Sequence, residues 1–432
     1  MKYFSLFPLY LIIYFNKIKL SFQSYVVYPF KKSTKLKKIF PENLIQNDLE
    51  VTIKIGTPPQ NVALNLRSGV YTFYVTSSKV NLGYPTFNES SSTSLIKETD
   101  KPSNFSKMEY IQAYKIYDSI IINEKEVKNI SLFLATSVAY NQSGALGLKL
   151  VDSHEVGDDL SFIYQIKKLA NFDYYSFVIK YDDDNQGELI IGSYPHLYDK
   201  NYNENNFYFT KAGVIGKNVD WVLNFDVIRY DNKTIGSIIT KCLIQIEYGL
   251  IRAPYKLKKF FNEKYFNNRC REEFYLLRNL YIIHCNKNMP INDFKNLSFT
   301  LKDIDYTFTL TYKDLFIEGN NEYIFSIVFD TNINTNNQDG YWILGKPFIK
   351  KYSLIYDLDR KIIGLYKEND GNEIDEKYKY KSNNYLYVFL ILLVISIFVI
   401  IGLVIYIFFY INKTRKKKAN ELIDDFDYIP TE

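Results

Sequence analysis

Residues 55–75 constrain the fold more than any other part of this sequence. A glycine and two prolines at 56–59 lie between two apolar segments, which predicts a strand that ends at Ile55 in a tight turn. A second strand is predicted from Asn61 to Leu66, and a bend at Ser68 and Gly69. Arg67 therefore stands at the end of a strand, where a β-scaffold commonly holds its functional side chains.

The composition indicates a large folded body. The chain has 432 residues, of which 47% are hydrophobic and 17% aromatic, enough for a bilobal body or two domains and too apolar for a disordered chain. The formal net charge of +5 is small, and five basic residues are concentrated within 413–418. Nucleic-acid binding therefore has no support.

The two ends of the chain predict targeting and a membrane anchor. Residues 1–24 are typical of a secretory signal peptide, with an uncleaved anchor as the alternative. The uncharged run at 385–411 is long enough to cross a bilayer core of about 30 Å as a helix. Basic residues follow it, so we expect a single-pass type I membrane protein of the secretory pathway with a cytoplasmic tail at 412–432.

The body at about 25–380 is then lumenal or extracellular. Six sequons are candidate glycosylation sites, with chance occurrence in an Asn-rich chain as the alternative: Asn88, Asn104, Asn129, Asn141, Asn232 and Asn296. Three cysteines lie in this oxidising setting. Cys270 and Cys285 are the preferred disulfide because they close a short loop, which leaves Cys242 free, although spacing alone does not fix the connectivity.

The first segment resembles the pepsin-like aspartic proteases, peptidase family A1. In that family a Gly-Thr-Pro-x-Gln turn precedes an Asp-Thr/Ser-Gly triplet by six residues, and the same spacing separates Gln60 from Arg67 here. Arg67 therefore replaces the first catalytic aspartate. A second segment, 242–254, resembles the second triplet with Gly249 and Pro254 retained, Glu247 in the aspartate's place, and a loop about two residues shorter than the family pattern.

Further elements extend the resemblance over about residues 25–368. Residues 144–148 and 341–345 match the family's two apolar-apolar-Gly elements, and 355–365 match its final hairpin. The resemblance implies an all-β bilobal fold, two lobes of six-stranded type with a central cleft, followed by one transmembrane helix. The expected segments are a basic propeptide-like segment at 25–45, with a plain amino-terminal strand as the alternative, lobes at 46–205 and 206–368, and a linker at 369–384.

The resemblance also assigns residues to the cleft. Ser68, Gly69, Tyr248 and Gly249 belong to the two active-site loops. The family's flap tyrosine is assigned to Tyr110 or Tyr114, although residues 108–122 contain no glycine for a tight hairpin turn.

The catalytic chemistry needs two carboxylates that share one proton, one acting as acid and the other as base. An arginine takes neither role because its guanidinium stays protonated. If the lobes meet as in the family, Arg67 and Glu247 face each other, and we predict an ion pair between them. No cofactor is implied, and none of the three histidines has metal-ligand spacing.

Three functions follow from this pattern. The first is a monomeric, membrane-anchored aspartic protease homologue that is inactive and keeps the cleft for a peptide or protein ligand. The second is an active aspartic-type endopeptidase with an atypical site. The third is a structural or surface interaction protein whose cleft is vestigial.

Overall fold

The structure is a computed structural model that describes residues 25–33, 40–80, 82, 86–99, 101–106, 111–138, 144–150, 160–216, 218–236, 239–267, 269–331 and 341–366, with helical residues at 402, 405–406 and 409–413. The chain divides into two units, Met1–Tyr378 and Lys379–Glu432. The predicted signal peptide, linker and most of the predicted transmembrane helix and tail lie outside these residues. Among the residues described, no helix is long and apolar enough to cross a membrane.

The first unit consists mainly of short strands. Those of its first half are β1 (Val26–Lys32), β2 (Leu49–Ile55), β3 (Gln60–Arg67), β4 (Phe73–Thr76), β5 (Ile96–Lys97), β6 (Ser103–Ser106), β7 (Ile111–Ile122), β8 (Lys125–Ser137), β9 (Gly144–Gly147), β10 (Ser176–Tyr181), β11 (Gln186–Ile191), β12 (Phe207–Lys211), β13 (Val214–Ile215) and β14 (Asn218–Val219). Those of its second half are β15 (Val222–Phe225), β16 (Val227–Tyr230), β17 (Lys233–Thr234), β18 (Thr240–Ile244), β19 (Ile251–Pro254), β20 (Cys270–Tyr275), β21 (Leu280–Asn286), β22 (Leu297–Leu301), β23 (Tyr306–Leu310), β24 (Phe316–Glu318), β25 (Glu322–Phe325), β26 (Ile327–Asp330), β27 (Trp342–Leu344), β28 (Ile355–Asp357) and β29 (Ile362–Tyr366).

The helices are short. They are α1 (Glu42–Ile45), α2 (Phe162–Ala170), α3 (Pro195–Tyr198), α4 (Lys256–Phe261) with a π-helical turn at Asn262–Phe266, α5 (Tyr312–Leu315) and α6 (Lys346–Lys351). Single 3₁₀ turns lie at Glu89–Ser91, Glu204–Asn206, Leu276–Arg278 and Ile291–Asp293.

Two large sheets carry the two halves of the body. The 14-stranded sheet runs β12-β29-β28-β10-β11-β1-β2-β3-β9-β4-β8-β7-β5, with β6 on β7. The 9-stranded sheet runs β15-β18-β27-β19-β26-β21-β25-β24, with β20 on β21, beside a 4-stranded sheet β17-β16-β22-β23. This mainly β structure with two large sheets is consistent with the predicted bilobal pepsin-like fold. Both sheets have more than six strands, and β28 and β29 from the end of the body extend the first one.

The opening hairpin forms where the sequence predicts it. β2 and β3 pair antiparallel from Glu50 with Asn65 to Ile55 with Gln60, on either side of the turn at 56–59. Gly56 sits in that turn at φ +85°, a conformation that disfavours residues with a Cβ. Val62, Leu64 and Leu66 are buried at alternate positions of β3, as the pleat of a half-buried strand requires.

The two halves share one hydrophobic core. Trp221, fully buried just before β15, donates its indole N–H to the carbonyl of Leu148 just after β9 at 2.7 Å. Its ring also packs edge-on against Phe177 and Tyr356. These contacts hold the segment after β9 against the start of the second half.

The predicted propeptide-like segment begins as an inner strand. β1 pairs with β11 on one side and with β2 on the other. Removing it would leave both neighbours with unpaired backbone groups. Whether residues 25–45 are ever released stays a prediction, and residues 34–39 lie outside the described part.

The preferred disulfide is confirmed. Cys270 and Cys285 face each other across β20 and β21 and are bonded. Cys242 is a buried free thiol on β18.

Four of the six candidate glycosylation sites have described side chains. Asn88, Asn129, Asn232 and Asn296 are all exposed. Asn141 and the side chain of Asn104 lie outside the described residues. Glycosylation itself stays a prediction.

Candidate active site

The first loop of the candidate site follows β3. β3 lies parallel to β9, with Arg67 opposite Gly147. A Cβ on Gly147 would come within 2.4–2.6 Å of the backbone of residues 71–72, so glycine is needed where the loop crosses behind. Ser68 is buried and Gly69 is exposed.

The second loop follows β18 in the same way. β18 lies parallel to β27, with Ile244 opposite Leu344. The next residue, Gln245, donates its backbone N–H to the carbonyl of Leu344 at 3.0 Å and so stands beside Gly345. Gln245 therefore lies beside the second apolar-apolar-Gly element in the same way as Arg67 lies beside the first.

A second pair of strands gives the same equivalence. Tyr74 on β4 pairs with Ala145, and Arg252 on β19 pairs with Ile343, the corresponding residue of the other Gly-ending element. Tyr74 follows Arg67 by seven positions, and Arg252 follows Gln245 by seven. The two loops therefore have equal length.

This register corrects the sequence alignment. The second aspartate position is Gln245 rather than Glu247, and the loop before Pro254 is not shortened. In sequence, Tyr248 and Gly249 resemble the last two residues of an Asp-Thr-Gly triplet, but Gly249 is required for another reason. A Cβ there would lie 2.0 Å from the carbonyl oxygen of Leu44.

The predicted ion pair between Arg67 and Glu247 is wrong. The guanidinium of Arg67 lies 3.4 Å from the carboxylate of Asp48, and both side chains are largely buried. The hairpin explains this partner, because extending the pairing of Glu50 with Asn65 by two residues puts Asp48 opposite Arg67.

Glu247 is held by the first loop. One carboxylate oxygen accepts the Ser68 N–H at 3.0 Å and the Ser68 hydroxyl at 2.6 Å. The other accepts the Gly69 N–H at 2.9 Å. A Cβ on Gly69 would lie 2.7 Å from this carboxylate and 3.7 Å from the amide nitrogen of Gln245, so both side chains reach across to the first loop.

Ser68 and Asn47 complete the connection between the loops. The N–H of Ile246 donates to the Ser68 hydroxyl oxygen at 2.9 Å. Asn47, which is buried, donates its side-chain amide to the carbonyl of Ile246 at 2.9 Å and its backbone N–H to the carbonyl of Glu247 at 2.9 Å. The two loops and the segment before β2 thus form one hydrogen-bonded unit.

Tyr248 is held by a hydrogen bond from Arg252 of the second sheet. Its hydroxyl accepts a hydrogen bond from Arg252 at 2.9 Å, and the guanidinium lies 5.0 Å from the ring centroid. Arg252 is also paired with the buried carboxylate of Asp330.

A second carboxyl group lies near Glu247. Burial raises the pKa of Asp220, the hydrogen bond from the N–H of Trp221 opposes that rise, and the charge of Glu247 adds to it. The ammonium of Lys149 lies 3.6 Å from Asp220. Asp220 therefore interacts electrostatically with Glu247, and no local motif marked it.

One of the two candidate flap tyrosines lies within a strand. Tyr114 lies inside β7, paired with Leu134, and the ammonium of Lys97 lies 4.5 Å from its ring centroid. It therefore lies in a strand rather than in a turn. Tyr110 lies outside the described residues.

The chemistry available at the dyad positions is not that of an acid and a base. Neither an arginine guanidinium, such as that of Arg67, nor an amide, such as that of Gln245, can serve as the acid or the base of this mechanism. Both oxygens of Glu247 already accept hydrogen bonds from Ser68 and Gly69. No cluster of three or more His, Cys, Asp or Glu side chains that could hold a metal ion occurs in the part of the chain described.

The missed residues differ in how far the sequence signalled them. Gln245 could have been found by counting back from Pro254 without a gap. Asp48 could have been found by extending the register of the hairpin. Asp220 is far away in sequence and carries no such signal.

Comparison with known proteins identifies the framework. The sequence matches the model of the eukaryotic aspartyl protease family over residues 50–368. That range contains both loops and both Gly-ending elements. No curated protein matches the chain.

Proposed function

Because this chain belongs to the eukaryotic aspartyl protease family, we propose that it is a membrane-anchored member without peptidase activity, whose interlobe cleft binds a peptide or protein segment. The observation that carries the proposal is that Arg67 and Gln245 occupy equivalent positions in the two loops. Neither supplies a carboxylate, so the shared-proton mechanism has no acid and no base.

Glu247 strengthens the case for inactivity. It stands where the family triplet has its glycine, and its carboxylate accepts the hydrogen bonds of Ser68 and Gly69. Those donors are then not available to orient a catalytic group. The proposed loss of activity therefore has two causes. The carboxylates are missing, and Glu247 occupies the hydrogen-bond donors of the first loop.

Retained ligand binding is supported by the order of the site. The loops are joined through Ser68 and Asn47, and Tyr248 is held by Arg252. Such an ordered surface loses little conformational entropy when a ligand binds. We therefore favour a binding role over a vestigial cleft.

Membrane anchoring and a lumenal or extracellular body are part of the proposal. They rest on the uncharged run at 385–411 and the basic residues that follow it. The Cys270–Cys285 disulfide and four exposed sequon asparagines are compatible with an oxidising compartment.

The test uses the full-length chain in lipid nanodiscs and a library of random octapeptides from pH 3 to 7. We expect no cleavage and measurable retention of a subset of peptides. A Tyr248→Ala variant should lose retention, whereas Tyr306→Ala, on β23, should not. Cleavage by the native chain, or equal retention by Tyr248→Ala, would contradict the proposal.

One observation favours the second function, an endopeptidase with an atypical site. Asp220 and Glu247 are two carboxyl groups that interact electrostatically, and the pKa of Asp220 is raised by burial first and by Glu247 as well. Native cleavage at acid pH that disappears in both Asp220→Asn and Glu247→Gln would establish it.

A further inference from the structure

A cavity of about 450 Å³ is lined by residues from both halves of the body. The first half contributes Lys32 of β1 and Asp184 of the β10–β11 turn. The second half contributes residues of α5, β24 and α6, together with Gly249 of the second loop. The volume falls in the range of sites that bind small molecules.

The lining has an excess of positive charge. Five lysines and three carboxylates are among the described residues that line the cavity: Lys32, Lys313, Lys346, Lys350, Lys351, Asp184, Asp314 and Glu318. The lining therefore carries two more positive charges than negative ones. Such an excess in a concave surface attracts anions.

Lys346 is largely buried beside like charges. Its side chain is 19% exposed and its ammonium lies 3.8 Å from Asp184. Burial lowers the pKa of this ammonium, and the Asp184 carboxylate opposes that change. The nearby charges of Lys32 and Lys350 lower the pKa further. An anion bound at Lys346 would offset both the burial and the repulsion.

Two buried polar atoms of the lining residues have no hydrogen-bond partner in the part of the chain described. They are the hydroxyl of Ser326 and the side-chain oxygen of Asn47. The Asn47 amide nitrogen donates to the Ile246 carbonyl at 2.9 Å and to the Tyr181 hydroxyl at 2.8 Å, so its orientation is set. A buried polar group without a partner costs free energy.

These two atoms differ in the ligand group that they would bind. The Ser326 hydroxyl can donate a hydrogen bond to an anion, as the ammonium groups do. The Asn47 oxygen only accepts hydrogen bonds, so its partner must be a donor such as a hydroxyl group. The lining residues therefore offer partners for a phosphate and for a hydroxyl group of one ligand.

We propose that this cavity binds the phosphate monoester of a polyol, a sugar phosphate or an inositol phosphate. The phosphate is bound by Lys346, its neighbouring ammonium groups and Ser326, and a hydroxyl group of the polyol donates to Asn47. A phosphate monoester carries a charge of about −1.5 to −2 at pH 7, which matches the excess of the lining. This site goes beyond the proposed function, because it assigns a second ligand of different chemistry.

The test measures binding of glucose 6-phosphate and myo-inositol 1-phosphate to the full-length chain in phosphatidylcholine nanodiscs, by isothermal titration calorimetry. Inorganic phosphate, glucose and myo-inositol are the matched probes, since each carries only one of the two chemical groups. We expect at least one phosphate ester to bind about 10-fold more tightly than inorganic phosphate and than its parent polyol.

Three variants locate the binding. Lys346→Gln should weaken binding of the phosphate ester about 10-fold, because it removes a charge-assisted hydrogen bond, and Ser326→Ala about 5-fold. Lys128→Gln is the control, because Lys128 is 73% exposed in an ion pair with Glu126, and it should bind like the native chain.

Urea unfolding without ligand separates binding from a structural role. Ser326→Ala removes a buried hydroxyl that has no partner, and Lys346→Gln removes a charge that burial disfavours. Neither variant should therefore unfold at a lower urea concentration than the native chain. Weaker binding by variants of undiminished stability comes from the lost contacts.

Four outcomes bear on the proposal. Binding of neither phosphate ester, or equal affinity of the native chain, Lys346→Gln and Ser326→Ala for it, would overturn the site. Inorganic phosphate that binds as tightly as the esters would overturn the role of Asn47 and the polyol. Vesicles containing phosphatidylinositol 4-phosphate that displace the ester would support a lipid headgroup as its source, and vesicles that do not displace it would support a soluble phosphate ester.

Discussion

Arg67 and Gln245 occupy equivalent positions in the two halves, since Arg67 lies opposite Gly147 and Gln245 bonds to Leu344 just before Gly345. The family's mechanism needs a carboxyl group at both positions. The framework of the site is intact, since the loops have equal length and are joined by Ser68. The altered residues, rather than a damaged fold, account for the proposed loss of activity.

Glu247 should stabilise the body. Removing its carboxylate leaves Ser68 and Gly69 without an acceptor, and hydrogen bonds to charged groups contribute more than neutral ones. We expect Glu247→Ala to lower the free energy of unfolding by about 2 kcal/mol in a urea titration. Glu263→Ala, at an exposed ion pair, should change it by less than about 0.5 kcal/mol. Equal effects of the two variants would mean that Glu247 does not join the loops.

Gly249 should tolerate no side chain. A Cβ would lie 2.0 Å from the Leu44 carbonyl oxygen, a backbone atom that cannot move without displacing α1. Gly249→Ala should therefore cost about 3 kcal/mol or more of unfolding free energy. At Gly319 the nearest atom would be 3.1 Å away, and Gly319→Ala should cost less than about 1 kcal/mol. A mild Gly249→Ala would argue against the close approach of the segment before β2.

Cys242 should be unreactive in the native state. It is fully buried, and burial raises the pKa of its thiol, which disfavours the reactive thiolate. A thiol reagent at pH 8 should label no cysteine of the folded chain and one cysteine after unfolding without reductant. Labelling of two or three cysteines after such unfolding would contradict the disulfide.

Glu89 should make the free energy of unfolding depend on pH. Burial alone would raise its pKa, but hydrogen bonds from Lys79 and Ser77, each 2.8 Å long, outweigh burial and lower it. A carboxyl group with a lowered folded pKa adds stability above its unfolded pKa of about 4.3 and loses it as the pH falls through the folded value.

The corresponding variant is Glu89→Gln. It should lower the free energy of unfolding by about 1 kcal/mol at pH 7 and by progressively less toward pH 3. Glu98→Gln should have a smaller effect at both values, because the Glu98 side chain is 42% exposed and that of Glu89 is 8% exposed. A Glu89→Gln effect that is the same at pH 3 and pH 7 would contradict this account.

Most of the framework could be predicted from local sequence. The turn at 56–59 fixes the opening hairpin, and the two apolar-apolar-Gly elements can only pack behind tight loops, since a Cβ on Gly147 or Gly345 would strike backbone. The disulfide was predictable because its cysteines bound a short loop. These features depend on residues close together in the chain.

The site was less predictable because it depends on register between distant strands. The sequence analysis aligned Gly249 with the glycine of the second triplet, which displaced the alignment by two residues. The role of Gly249 is instead to let the Leu44 carbonyl approach. Arg67 was expected to pair with Glu247, but Asp48, just before the neighbouring strand β2, pairs with it. The surroundings of Asp220 come from segments that only the fold brings together.

The most direct test compares two repaired enzymes. One carries Arg67→Asp, Gln245→Asp, Ile246→Thr and Glu247→Gly, which rebuilds both triplets at the positions set by the register. The other carries Arg67→Asp and Glu247→Asp and follows the rejected alignment. We predict acid-dependent, pepstatin-sensitive cleavage of the octapeptide library by the first variant, and none by the second or by the native chain. Pepstatin-sensitive cleavage by the native chain, or activity of the second variant alone, would contradict the account.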